Sequence, residues 1–389
     1  MKKAMLLLAM LILCQCRGHQ PAPASDAEPV TVFKDDHPTS YKMPSPPTQF
    51  PLGISIVSVG DIMIGNHTMA YMERFGFQYP FAATASVIKK GDMALANLES
   101  AFTDDGTRFE KTFTFKVPPK YGVSLLESGI DVVTLANNHV LDYGLEGLNN
   151  TITLLDTIGI LHCGAGNTKY DAQQPAIFTA NGFRVAVLGY SMTFPEEFFA
   201  TNSSGGTNYP HEKNLVTNIQ RCDTLADITV VTFHWGREST NFPLSYQRKM
   251  AHRVIDLGAD LVVGHHPHVL QGLEIYKNRL IAYSLGNYAF SSYSTIARES
   301  MILRTCLNKN GLLYAKIYPM LVDNYKISFQ PKIVQGAAAD TILHHLREYT
   351  RAVDANLHID ENGFIRGGAG MSPDSTSEMM QFIESIRSQ

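Results

Sequence analysis

The sequence predicts an α/β fold with buried strands, on three observations. Helix-like and strand-like segments alternate through much of the chain from residue 51 onward. The strand-like runs are apolar and rich in β-branched residues, as expected of strands covered on both faces. Polar residues able to bind a metal recur where these runs end.

Along the chain, "ISIVSVGD" (54–61) is a strand that ends in Gly60 and Asp61. "ATASVIKKGDMALANLES" (83–100) is a helix followed by the strand "MALANLE". "VSLLESGIDVVTLANNHVLDYG" (123–144) is a helix, the strand "DVVTLAN" and a loop, and "GLNNTITLLDTIGI" (147–160) is another helix. Further strands are "FRVAVLGYS" (183–191), "DITVVTFHWG" (227–236), "ADLVVGHHPH" (259–268) and "RLIAYSLGNYAF" (279–290). The alternation in "LLYAKIYPMLVDNYKISFQPKIV" (312–334) suggests strands that complete a second sheet. "ADTILHHLREYTRAVD" (339–354) is an amphipathic helix that leaves His344 and His345 near the surface, and "STSEMMQFIESIRS" (375–388) is a terminal helix.

The strand ends carry the chemistry. They supply Asp61; Asn97 and Glu99; Asn137, Asn138 and His139; His234 and Trp235; His265, His266 and His268; and Asn287. In open α/β sheets, ligands bind at this edge, where a rigid scaffold lets several loops converge at little ordering cost. Asp, Glu, Asn and neutral His together suit a divalent ion such as Zn, Mn, Fe or Mg. Two such ions held close together would polarise an ester or amide and activate a water. A histidine beside a ligating asparagine, as His139 is beside Asn138, is placed to protonate a leaving group. The i, i+2 spacing of His266 and His268 would split them across a true strand, so a turn around Pro267 is needed to bring both to one side. Asn137 caps its loop, Asp142 makes a turn or orients His139, and Arg237 binds an anionic substrate or pairs with Glu238. His162, His252, Gln271 and Glu274 are expected to be structural, while Trp235 packs on substrate or in the core.

Composition bounds the rest. The 389 residues are 44% hydrophobic and 17% charged, enough for one large domain with a sizeable core. A net charge of −4 without a basic block argues against nucleic acid as a partner. Residues 1–16, "MKKAMLLLAMLILCQC", form a secretory signal pattern that closes on cysteines. Cys16, or Cys14, is the expected lipidation site of a surface lipoprotein, with plain secretion as the alternative. Residues 17–50 are rich in Pro, Ser and Asp and serve as an extended linker. Residues 51–335 make the main domain and 336–389 a helical extension packed on it. Cys163, Cys222 and Cys306 are too few and scattered for a disulfide framework.

"VSVGDIMIG", "ALANLES", "VVTLANNHVLDYG", "FHWGRE", "ADLVVGHHPHVLQGLE" and "IAYSLGNYAF" together resemble the CapA family, the poly-γ-glutamate capsule biosynthesis proteins. That family is similar to the calcineurin-like metallophosphoesterases. The resemblance runs over residues 54 to 290 and implies a four-layer α/β/β/α sandwich. It implies that Asp61, Glu99, Asn138, His234, His266 and His268 hold metal and that His139 is the catalytic acid. Asn97, Asn137, Asp142, Arg237, His265 and Asn287 would support them or touch substrate. Met63 stands where the phosphoesterases usually have a second histidine, and Glu99 stands near the place of their bridging aspartate. One ion, two or none therefore stay open.

Two functions follow as expectations. One is a metal-dependent hydrolase or transferase acting on a phosphoester or a γ-glutamyl amide during capsule or exopolymer biosynthesis. The other is a non-catalytic surface protein that binds an anionic polymer such as poly-γ-glutamate, or a cell-wall glycan. Either would sit in the bacterial envelope, lipid-anchored to the membrane or secreted, with capsule synthesis and export proteins as further partners.

Overall fold

The computed structural model describes residues 53–366. The expected signal segment, linker and terminal helix lie outside the described residues.

β1 (Ile54–Met63) leads through α1 (His67–Phe75) and the one-turn α2 (Ala85–Ile88) into β2 (Met93–Leu98). β3 (Ala101–Phe102) and β4 (Lys116–Val117) pair with each other and close a loop, residues 103–115. α3 (Val123–Ser128) stops at Gly129, whose φ of 91° is left-handed and favours glycine. β5 (Val132–Thr134), α4 (Gly144–Ile158), β6 (Leu161–Cys163), β7 (Ala165–Gly166) and α5 (Lys169–Ala172) follow. β8 (Ala176–Ala180) and β9 (Phe183–Ser191) form a hairpin through Asn181-Gly182, a two-residue turn with both φ angles positive. β10 (Gly206–Thr207) pairs with β7, and α6 (Glu212–Leu225), β11 (Ile228–His234), α7 (Ser245–Asp256) and β12 (Leu261–His265) come next. The rest of the chain gives β13 (Leu273–Tyr276), β14 (Arg279–Ala282), β15 (Asn287–Phe290), β16 (Glu299–Asn308) and β17 (Gly311–Leu321). It then runs through α8 (Asn324–Ile327), β18 (Lys332–Ile333), α9 (Ala337–Arg351), β19 (His358–Ile359) and β20 (Phe364–Arg366).

Two large sheets result. The first runs β19-β20-β17-β16-β1-β2-β5-β6, with β15 added beside β1 and β18 beside β17. The second runs β13-β14-β12-β11-β9-β8. β1, β2, β5 and β6 are parallel in one sheet, and β9, β11, β12 and β14 are parallel in the other.

Strand alternation sorts the side chains into three cores. Ile54, Ile56, Met93 and Leu95 of the first sheet meet Val185, Val187, Ile228, Val230, Leu261 and Val263 of the second. The intervening residues Val57, Val59, Ala94 and Ala96 face the other way, against Met72, Leu125, Leu148 and Leu155 of the helices. Ala186, Leu188, Val231, Phe233 and Val262 likewise face Leu215, Ile219, Ala251 and Val254 of α6 and α7. Helix, sheet, sheet, helix is therefore the layer order, as expected. Each fully buried aliphatic side chain in these layers contributes about 1.5–3 kcal/mol.

Four details differ from the sequence reading. "RLIAYSLGNYAF" is not one strand: β14 lies in the second sheet beside β12 and β15 in the first beside β1. The break comes at Gly286, with φ 76°, whose carbonyl closely approaches Gly60. "ADLVVGHHPH" leaves the strand at His265, because His266 (φ 93°) and His268 (φ 60°) both turn left-handed. Within 312–334, β17 and β18 extend the first sheet instead of completing the second, since β16, which the sequence reading missed, pairs antiparallel with β1. In the segment read as a helical extension, α9 is followed by β19 and β20, which add to β17.

Candidate metal centre

The alternation that builds the inter-sheet core also builds the site. β2 points Met93 and Leu95 into that core, so Asn97 points the same way; β11 does so with Ile228, Val230 and then His234. β12 does so with Leu261, Val263 and then His265. Register aligns these ends, Asp61 opposite Asn97 and Asn287, and His234 opposite His265. The polar residues thus replace the apolar ones at the last rung of each strand, between the two sheets.

Glu99 is the centre of the cluster. It is fully buried, and its Oε1 has no hydrogen-bond partner. That oxygen lies 3.8 Å from His139 Nε2, 3.7 Å from His234 Nε2 and 3.8 Å from His268 Nε2. Glu99, His266 and His268 form one group whose ligand atoms lie within 4.8 Å of one another, and Asp61, Glu99 and His234 form a second. Glu99 belongs to both. The turn around Pro267 does bring His266 and His268 to the same side, with ring centroids 5.9 Å apart.

The remaining expected residues surround this cluster. Asp61 Oδ1 lies 3.2 Å from His265 Nδ1, and its Oδ2 lies 3.2 Å from His268 Nδ1. Asn287 Oδ1 also lies 2.9 Å from His268 Nδ1. Asn138 Oδ1 is 2.9 Å from His234 Nε2. Asn97 Nδ2 donates to Asp61 Oδ1 (2.8 Å) and Glu99 Oε2 (3.2 Å), while its Oδ1 accepts from Asn137 Nδ2. Asn137 in turn accepts the His139 backbone N–H, so this amide pair fixes both carboxylates and the loop. Arg237 is exposed, three residues after His234 in the chain, and Met63 is fully buried. Trp235, His252, Gln271 and Glu274 are held in structural contacts: Trp235 is buried with its Nε1 on Tyr283 O, and Glu274 binds His252 and Tyr283.

His139 reaches the cluster from the loop between β5 and α4. Its Nδ1 donates to Asp142 Oδ2 at 2.7 Å, which directs Nε2 toward Glu99. The sequence reading missed two residues here. Lys111 Nζ pairs with Asp142 Oδ1 at 2.6 Å and bonds the Asn138 carbonyl. Phe115 donates its N–H to Asp142 Oδ2 and lays its ring 4.2 Å from the His139 ring. Both lie on the loop 103–115, whose polar sequence has no periodicity to mark it.

Burial and mutual charge set the protonation of the cluster. Burial pulls Asp61 up, but hydrogen bonds and charge from His265 and His268 outweigh it and hold the carboxyl well below its usual range. Burial drives Glu99 well above its range despite His268. Burial also pulls His268 down, yet Glu99 and Asp61 raise it to about 9. Burial and the neighbouring His268 take His266 down to about 3; burial and His266 take His234 well down. Burial lowers His139 against the pull of Asp142. Carboxylates and imidazoles at such cross-purposes are what a cation would reconcile.

Residues 55–292 match the family described as "Bacterial capsule synthesis protein PGA_cap". The chain is 32% identical over 275 residues to the "Capsule biosynthesis protein CapA" of Bacillus anthracis, covering 69% of this chain and 67% of that one. It is 30% identical over 296 residues to the "PGA biosynthesis protein CapA" of Bacillus subtilis (strain 168), covering 75% and 77%. Among solved structures it is similar to the 5'-nucleotidase precursor of Thermus thermophilus, with a TM-score of 0.45, 14% identity, and 78% of this chain and 59% of that one covered.

Proposed function

The chain belongs to the bacterial capsule synthesis protein family PGA_cap, and from that premise we propose that it acts in capsule biosynthesis as a metal-dependent hydrolase or transferase. The observation that carries the reading is Glu99 Oε1, buried without a hydrogen bond and lying 3.7 Å from His234 Nε2 and 3.8 Å from His268 Nε2. Those distances exceed a hydrogen bond. They suit donors that share an ion, because ligand bonds of about 2 Å leave donors about 3–4 Å apart. The donor set of carboxylates, imidazoles and an amide oxygen fits Zn, Mn, Fe or Mg.

Asp61, Glu99 and His234, with Asn138 beside them, would hold one ion; Glu99, His266 and His268 would hold another or share the same one. A divalent ion there supplies a Lewis acid and a water that ionises near neutral pH. His265, Asn97, Asn137 and Asn287 orient these ligands. Asp142, fixed by Lys111 and Phe115, turns the His139 ring and partly offsets the burial that lowers its proton affinity, so that Nε2, once protonated, can pass its proton to the departing oxygen or nitrogen. Arg237, exposed on the segment that follows His234, is available to an anionic chain. The printed name of the Bacillus subtilis relative, "PGA biosynthesis protein CapA", favours poly-γ-glutamate as the polymer and a γ-glutamyl amide as the bond attacked, with a phosphoester as the alternative that the metal chemistry also allows. The apolar stretch before Cys14 and Cys16 supports attachment at the cell envelope by a lipid on Cys16 or Cys14, near the capsule synthesis and export proteins. Among the described residues no helix is long and apolar enough to cross a membrane.

Metal content by elemental analysis, with turnover of p-nitrophenyl phosphate and of poly-γ-glutamate, tests this reading. His139→Ala should keep the metal and lose turnover, whereas His268→Ala should lose both. A wild type without metal, whose melting ignores chelator, overturns it. A second reading rests on Met63, a thioether at the position where the resemblance implies a histidine. On that reading the same cleft binds an anionic polymer without turning it over, and metal binding without turnover of either substrate would favour it.

A further inference from the structure

Two phenylalanine rings lie against the imidazoles of the metal centre. Phe115 comes from the loop 103–115, just before β4, and Phe290 closes β15. The Phe115 ring centroid is 4.2 Å from that of His139 and 6.0 Å from that of Phe290, which it meets edge-on at 87°. The Phe290 centroid is in turn 4.8 Å from that of His268. Ring contacts thus run without a break from His139 through Phe115 and Phe290 to His268. The two ends of this run are imidazoles whose Nε2 atoms each lie 3.8 Å from Glu99 Oε1. This is also the side of the centre that reaches solvent. Glu99, His234 and His266 are buried, whereas His268 keeps 17% of its side chain exposed and Asn138, Phe115 and Phe290 are half-buried.

Both rings are held in place, yet neither serves a core. Phe115 N–H donates to Asp142 Oδ2, and its carbonyl accepts the Ala101 N–H. Phe290 pairs with Met63 of β1, and its carbonyl accepts from Asn324 Nδ2. Neither side chain belongs to the apolar clusters between or outside the sheets. A half-buried ring that packs on imidazoles instead of aliphatic side chains gains further when another apolar surface covers it.

Charge and position select the occupant. Lys111, the cation that reaches His139, is matched one to one by Asp142 at 2.6 Å, so the wall offers apolar surface without a spare charge. If His139 Nε2 passes its proton to the departing atom, the group carried by that atom lies alongside the rings that join His139 to His268. Resting on that reading of His139, we propose that Phe115 and Phe290 are specificity-determining residues. They form a leaving-group subsite for an apolar segment, an aryl ring or a run of methylenes. The paired methylenes of a γ-glutamyl unit meet this requirement.

The test reads binding and not turnover. The full chain is loaded with Zn or Mn, and its metal content is checked by elemental analysis. It is then titrated calorimetrically with phenylphosphonate, butylphosphonate and methylphosphonate. The one organic substituent of each stands where the leaving group of a phosphomonoester would. Phenylphosphonate or butylphosphonate should bind on the order of tenfold tighter than methylphosphonate. Which of the two leads tells a flat occupant from a flexible one. Phe115→Ala and Phe290→Ala should each bring the ratio down to about two or less, and Phe290→Trp should keep it. Phe290→Ala carries the test alone should Phe115→Ala fail to fold. A metal-loaded wild type that binds all three alike or not at all, or a preference that survives the alanine substitutions, overturns the proposal and leaves the metal centre standing. A chain that holds no metal and binds no phosphonate overturns both.

Discussion

Glu99→Gln separates a metal centre from a hydrogen-bonded polar core. Glutamine keeps the volume and can still accept from Asn97 through its amide oxygen, but it removes the carboxylate that both candidate ligand groups share. Glu99 is fully buried, its Oε1 has no hydrogen-bond partner, and burial pushes its carboxyl well above the usual range. Its charge is therefore costly when no ion offsets it, and in chelator the variant should melt no lower than the wild type. With metal the order reverses. An ion at a hundredfold excess over its Kd stabilises the folded state by about 2.7 kcal/mol. For a domain of roughly 300 residues that is on the order of 5 °C in Tm. The variant should lose most of that increment and its bound metal with it. Thermal melts with and without chelator, on both proteins and beside elemental analysis, read each term. A variant that keeps wild-type metal content and the wild-type shift would show that Glu99 is not a ligand. A metal-free variant that melts several degrees lower would show that it is a structural hydrogen-bonding residue.

Other expectations concern protons, close approach, a buried ion pair and thiols. His268 is raised to about 9, so its protonated form stabilises the metal-free fold below about pH 6.5, and that contribution fades as pH rises through about 9. Metal binding must expel this proton, so apparent affinity should climb between pH 7 and 9 by up to about tenfold per unit; calorimetric titrations giving a flat affinity would refute it. Gly264→Ala should cost more than about 4 kcal/mol or abolish folding, since a Cβ there would stand 1.9 Å from the Tyr283 carbonyl and 2.6 Å from Trp235 Nε1; a denaturant midpoint near wild type would contradict the packing. Lys111→Met leaves Asp142 buried with one charge partner fewer and should lower stability by about 1–3 kcal/mol, read in urea melts, without lowering metal content. Cys163, Cys222 and Cys306 are buried and pushed up to about 12, so iodoacetamide should label none of them before unfolding. Peptide mass spectrometry checks this, and native-state labelling of any of the three would refute it.

Local pattern in the sequence was enough to place β1, β2, β5, β9, β11 and β12 and the polar residues at or near their ends. Apolar runs covered on both faces announce an α/β fold, and Asp61, Glu99, Asn138, His234, His265, His266 and His268 are visible as polar breaks just past those runs. The left-handed turn at His266 and His268 was also foreseeable, because two imidazoles spaced i, i+2 cannot share a strand face. What the sequence could not supply is which breaks meet. His234 and Asn138 are 96 residues apart, and Asp61 and His266 are 205 apart. Strand order brings them together, and no local propensity encodes strand order. The same limit hid the switch of β14 and β15 between sheets, the arrival of β16 beside β1, and the loop whose Lys111 and Phe115 fix Asp142 against His139. It hid an aromatic cluster as well: His67, Tyr71 and Phe75 read alone as an ordinary helix face, and only packing brings Tyr293 and Phe329 against His67 and Tyr71. Residue identity and local period set the chemistry available to this chain; the tertiary structure decided which groups share a centre, since that depends on contacts between segments far apart in sequence.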